Sequence, residues 1–192
     1  LATSMTNLAT ALRSAGRTAS AEGYYRQALA LNRKLLGEDH ERVAQLMMEL
    51  GRLLLEGHSN LEETEQLFQK SLEIYRNRLG PDHPEVASTL NDLGNLMLWK
   101  SDLEAAERYG REAVRICQAR LPRTHPDFAA SLGSLGLTLT KLGKLDEAEG
   151  LLVEALELQR KVFGPTNPRV TSTLHALSSL YEQRRQYPES IR

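Results

Sequence analysis

The chain has 192 residues, 41% hydrophobic and 26% charged, with 24 Lys and Arg against 25 Asp and Glu for a formal net charge of -1. That balance excludes a disordered polyelectrolyte and gives no electrostatic ground for a nucleic-acid or anionic-membrane ligand. A single cysteine, Cys117, cannot close an internal disulfide, and neither a membrane-spanning apolar run nor a signal-peptide core is visible, so the expected compartment is cytoplasmic.

From the N-terminus onward a leucine followed by a small residue recurs as Leu8-Ala9, Leu50-Gly51, Leu93-Gly94, Leu135-Gly136 and Leu177-Ser178, in steps of 42, 43, 42 and 42 residues. A period of that length marks a supersecondary unit that cannot bury its apolar face alone and must stack on copies of itself. Within a unit the apolar spacing is helical, as in Val86, Leu90, Leu93 and Met97, then after a break Leu103, Ala106, Ala113 and Val114. Two antiparallel helices per repeat follow. The breaks inside units are Ala15-Gly16-Arg17, Gly57-His58-Ser59-Asn60, Lys100-Ser101-Asp102 and Leu142-Gly143-Lys144, the second holding the extra residue behind the step of 43.

Between units the punctuation is stronger: Gly37-Glu38-Asp39-His40, Gly80-Pro81-Asp82-His83-Pro84, Pro122-Arg123-Thr124-His125-Pro126 and Gly164-Pro165-Thr166-Asn167-Pro168. Glycine is expected to close one helix and the second proline to open the next. The repeats run at about 1–39, 40–82, 83–124, 125–166 and 167–192, the last partial, in one array over 1–192. The chain opens at Leu1 inside a helical pattern and stops at Arg192 just after another helix has begun. It therefore reads as a segment of something larger, with apolar end faces that make self-association an alternative to ligand binding.

Charge in the second helices follows the helix dipole. Glu62-Glu63, Glu104 and Asp146-Glu147 stand at the starts, with Arg76 and Arg78, Arg115 and Arg120, and Arg160-Lys161 toward the ends. His40, His83 and His125 recur at equivalent loop positions, which points to a connecting or capping role, because equivalent residues of successive repeats do not converge on one ion. No metal site and no cofactor are predicted. Cys117 lies late in a second helix and reads as a structural thiol. There is no Gly-rich phosphate loop, nucleophile elbow or His-Glu-x-x-His, so no catalytic residues are assigned and an enzyme is not expected.

These residues resemble tetratricopeptide repeats. The family's large residue, Leu-Gly pair and small-to-aromatic spacing are met by Leu90-x-x-Leu93-Gly94-x-x-Met97, Ala21-x-x-x-Tyr25, Thr64-x-x-x-Phe68 and Ala148-x-x-x-Leu152. Gly51, Gly94 and Gly136 in first helices, and Ala21, Thr64, Ala106 and Ala148 in second helices, fall where helices must cross closely. The ordinary repeat has about 34 residues; the longer period and the Gly-Pro-Asp-His-Pro connection resemble the kinesin light chain and nephrocystin-3-like class. HEAT-type units are disfavoured by the Leu-Gly pairing, and pentatricopeptide units by the period and the lack of basic excess.

The resemblance implies an all-α, right-handed α-α superhelix whose concave face is lined by the first helix of each repeat. With the Leu of each Leu-small pair as position 7, groove positions fall on Thr3, Thr6, Asn7, Thr10 and Arg13, then Gln45, Met48, Glu49, Arg52 and Glu56. Ser88, Asn91, Asp92, Asn95, Leu98 and Trp99 follow, then Ser134, Leu137, Thr140 and Lys141, and finally Ser172, His175, Ser179 and Glu182. Asn7, Asn91 and Asn95 offer amides that pair with an extended backbone whatever its sequence, and Trp99 is either an apolar anchor or cover for the next hairpin. The expected function is a protein-protein interaction scaffold that holds a peptide or partner segment in this groove. A regulatory or sensor arm docking on a kinase, NTPase or protease module of the same protein is the alternative.

Overall fold

The computed structural model describes residues 1–57 and 60–186. His58 and Ser59 of the second intra-repeat break, and the start of a further helix after residue 186, lie outside the described residues. Every regular element among the described residues is an α-helix. In order these are α1 (Ala2–Ser14), α2 (Thr18–Leu36), α3 (Glu41–Glu56), α4 (Leu61–Leu79), α5 (Pro84–Trp99), α6 (Leu103–Arg120), α7 (Pro126–Lys141), α8 (Leu145–Phe163) and α9 (Pro168–Gln186). The chain forms two compact units, residues 1–96 and 97–192, and the division falls inside α5.

The connections do what their residues predict. Gly37, Gly80 and Gly164 close α2, α4 and α8 at φ of 89°, 93° and 82° with ψ near 160°, a conformation that a Cβ all but forbids. After Gly80 and Gly164 the next helix opens on Pro84 and Pro168; α3 opens on Glu41 instead, and α7 opens on Pro126 after α6 has closed on Leu121 without a glycine. At these openings the imidazole Nδ1 of His40, His83 and His125 accepts a hydrogen bond from the backbone N–H two residues on, of Arg42, Glu85 and Asp127. Asn167 does the same with its Oδ1 for Arg169. The recurrent histidines are helix caps.

In the first unit α1 packs on α2, α2 on α3 and α3 on α4. The hairpin of α3 and α4 closes on Gly51, where an added Cβ would lie 2.4 Å from Phe68 Cε1. Tyr25, Phe68, Leu46, Met47, Leu50 and Leu53 are among the large side chains sealed in this core. In the second unit α6, α7, α8 and α9 pack in sequence, and α7 also touches α9. Gly136 repeats the close approach, with a Cβ there only 2.7 Å from Leu152 Cγ. Leu135, Leu139, Leu152, Leu177 and Leu180 form the core. Ala21, Thr64, Ala106 and Ala148 are all buried, as the crossing argument requires.

Adjacent second helices are strapped at the surface. Arg26 of α2 donates from both terminal nitrogens to the Glu63 carboxylate at 2.6 and 2.9 Å, and Arg111 of α6 does so to Glu147 at 2.7 Å. Arg111 also donates to Glu107, which receives Lys144 as well. Inside the second unit each junction carries its own polar pair. Cys117 Sγ lies 3.7 Å from Ser131 Oγ, and one repeat later Thr173 donates to Gln159 Oε1 at 2.8 Å while Gln159 Nε2 donates to the Ala129 carbonyl. Both pairs are buried; for Cys117, burial pushes the thiol pKa up.

The candidate first-helix groove

Charged side chains on the first helices of unit one are paired with one another. Arg13 of α1 reaches α3, donating to Glu49 at 3.0 Å and, in a close contact, to Glu56. Arg52 of α3 reaches α5, donating from Nε to Asp92 Oδ2 at 2.6 Å and from Nη2 to Ser88 Oγ at 2.9 Å. Glu49 stands between the two arginines, 3.5 Å from Arg52 Nη1. Charge thus alternates along the row Arg13, Glu49, Arg52, Asp92 and braces α1 to α3 and α3 to α5. The partnering carboxylates hold the Arg13 and Arg52 guanidinium pKa values above their ordinary value, for Arg13 chiefly through the Glu56 hydrogen bond. For Arg52, burial is the largest single influence and acts against this, and the carboxylates of Asp92 and Glu49 together outweigh it.

The row puts Arg13, Glu49, Arg52 and Asp92 on one face of the unit. Asn7 is exposed on the same helix as Arg13, and Thr10, one turn before Arg13, is tied to Tyr25 Oη at 3.0 Å. Asn91 and Asn95 are half-buried on α5, and the Asn91 Oδ1 atom is covered without accepting a hydrogen bond. Met48 departs from its expected groove position. It is only 3% exposed, because its place on the edge of the α3 stripe turns it into the core.

In unit two, Trp99 ends α5 with 58% of its surface exposed. Ser134 is half-buried on α7, Lys141 is exposed at its last turn, and His175 is exposed on α9. Thr140, counted as a groove position, is instead 2% exposed, with its hydroxyl donating to the Gly136 carbonyl. No group of three or more His, Cys, Asp and Glu among the described residues is placed to hold a metal ion. No helix among them is long and apolar enough to cross a membrane.

Hairpins of 42 or 43 residues, with first helix set beside first helix inside each unit, define a helical-repeat scaffold of the protein-interaction type. The tetratricopeptide repeat profile matches residues 58–119 and 127–192, and a second tetratricopeptide profile matches residues 1–42. The chain belongs to the tetratricopeptide repeat family.

Among solved structures it resembles the nearly identical TPR-like repeats of a candidate kinesin light chain from Podosopora anserina, at TM-score 0.77 and 22% identity over 95% of this chain and 86% of that one. It also resembles BtubC (BKLC) from P. vanneervenii, at 0.75 and 23% over 85% of this chain and 65% of that one. The apo form of RapI matches at 0.78 and 15%, over 97% and 65%. The chain thus spans less than two thirds of the last two structures. A comparison with curated proteins finds no match.

Proposed function

We propose that the first-helix faces hold an extended segment of a partner protein, read mainly through side-chain amides, with charge contributing little. The observation that carries this is the internal pairing of Arg13, Glu49, Arg52 and Asp92. Groups already matched at 2.6 to 3.0 Å offer little net charge to a ligand. What stays available is the amide set of Asn7, Asn91 and Asn95. A covered acceptor such as Asn91 Oδ1 costs about 1 to 3 kcal/mol when unmatched, and turning the carboxamide out to a ligand backbone N–H removes that cost. Trp99, Ser134, Lys141 and His175 supply the corresponding positions of unit two, with Trp99 as the apolar anchor. The period runs through residue 96 unchanged, and on that ground we read 1–192 as one array of four repeats and the first helix of a fifth, with no catalytic role of its own.

The test is capture of cell proteins on the immobilised chain and on an Asn91→Ala, Asn95→Ala variant of matched helicity, read by mass spectrometry. Partners retained by the first and lost by the second support amide recognition. Equal capture by both refutes it.

A further inference from the structure

A pocket of about 330 Å³ opens in unit one between α2, α3 and α4. Its floor is Leu29, Met47, Leu50 and Leu67, none more than 9% exposed, and its mouth is set by Arg26, Arg33, Glu63, Gln66 and Lys70. It does not belong to the first-helix groove. Met47 and Leu50 each precede the groove residues Glu49 and Arg52 by two positions, which places them about 200° round α3.

The charges at this mouth are of two kinds. Arg26 is matched by Glu63 and Glu22, and that strap recurs in unit two as Arg111 with Glu147 and Glu107. The straps set the register between the two junctions. Arg33 lies seven residues after Arg26, at a position held by Arg76, Gln118 and Arg160 in the other second helices; Lys70 lies seven after Glu63, at a position held elsewhere by Gln27, Glu112 and Glu154. In a repeat protein, what recurs serves the architecture, and what does not recur is free to serve something else. Lys70 is therefore not demanded by the junction, and Gln118 shows that the cation at the Arg33 position can be spared.

Their present contacts are readily exchanged. Lys70 meets Glu73 at 3.1 Å and Asp39 at 3.5 Å, carboxylates with 59% and 67% of their side chains exposed. Arg33 Nε lies 2.9 Å from the Glu38 carboxylate, itself 62% exposed, without an aligned hydrogen bond, although the nitrogen is covered. Pairs so exposed are weakly held, whereas a ligand carboxylate delivered beside a dry apolar floor keeps its attraction.

We propose that this pocket is a second recognition site, seating one aliphatic side chain from an acidic segment of a partner protein, with the segment's carboxylates answering Arg33 and Lys70. The floor supplies affinity by burial and the two cations supply the choice of sequence.

The probe is a short fluorescein-labelled peptide with one leucine flanked by glutamates, titrated with the full chain and followed by anisotropy. The two variants borrow residues that unit two carries in the same register, so the fold has precedent for both. Lys70→Glu and Arg33→Gln should each weaken binding about tenfold, the loss of one charge-assisted contact, and replacing the probe's leucine by alanine should weaken it similarly. The Asn91→Ala, Asn95→Ala variant should bind the probe as the parent does.

Four outcomes overturn the proposal: no binding by the parent chain, equal binding of the leucine and alanine probes, loss of binding in the asparagine variant with none at Lys70→Glu, or preference for decanoate over the peptide. The third would favour the first-helix groove as the site, so failure here and failure of the groove reading are told apart.

Discussion

Replacing one glycine by alanine should destabilise this chain at one helical position and stabilise it at another, and the sign is set by the distance to the neighbouring helix. At Gly51 a new Cβ would stand 2.4 Å from Phe68 Cε1, against 3.4–4 Å for ordinary contact, so a ring sealed in the core must give way by at least 1 Å. Overpacking of this kind costs about 1 to 3 kcal/mol, partly offset by the roughly 1 kcal/mol by which alanine favours a helix interior over glycine. Gly51→Ala should therefore lose about 1 kcal/mol net, and Gly136→Ala, facing Leu152 Cγ at 2.7 Å, should lose a comparable amount. Gly23 in α2 and Gly150 in α8 meet nothing within 4 Å. Their alanine variants keep only the propensity gain, about 0.5 to 1 kcal/mol of added stability. Urea unfolding followed by far-ultraviolet circular dichroism separates the pairs through their midpoints. A Gly51→Ala chain as stable as Gly23→Ala would refute the close-crossing argument.

Two further predictions concern caps and straps. His125→Ala should cost about 1 kcal/mol by freeing the Asp127 N–H, whereas His125→Asn should be nearly neutral because Asn167 already does that work in the next connection; equal losses in the thermal midpoint would exclude capping. Lys144 and Arg111 hold the Glu107 carboxyl below its ordinary range, Arg111 does so for Glu147, and Arg26 does so for Glu63. A carboxylate depressed in the folded state contributes stability that is present above its unfolded value, about 4.3, and is lost as pH falls through the lower folded value. Stability should therefore fall below about pH 4, and Arg111→Met should make that acid limb shallower; an unchanged slope would deny the straps any role.

Much of the architecture was legible because it repeats. The Leu-Gly period located the close crossings at Gly51 and Gly136, and the threefold return of a loop histidine pointed to the capping role those residues have. The groove count put Glu49, Arg52 and Asp92 on one face, and the structure pairs them there with Arg13. It could not show that these groups pair with each other, since Arg13 and Glu49 are 36 residues apart and meet only once α1 lies beside α3. Met48 and Thr140 were misplaced for a geometric reason: a helix stripe has edges, and a fixed position count cannot tell an edge residue that turns inward from one that turns out. The pocket below Arg33 and Lys70 gave no signal, because three helices from two repeats make it. The division inside α5 leaves no mark either, as the period crosses it unbroken.

The unlike polar pairs at the two junctions of unit two bear on how a chain of near-copies assembles in the right order. Were the hairpin bearing Thr173 to dock where Ser131 belongs, Gln159 would lose the hydroxyl that donates to its Oε1. An amide stranded away from water costs about 1 to 3 kcal/mol, a sizeable share of the interface that any one hairpin can offer. Neighbours thus carry matching addresses written in buried chemistry, while the outward resemblance of the repeats is left free to accumulate or fade. Shuffled or duplicated hairpins in such an array would be sorted at these seams first.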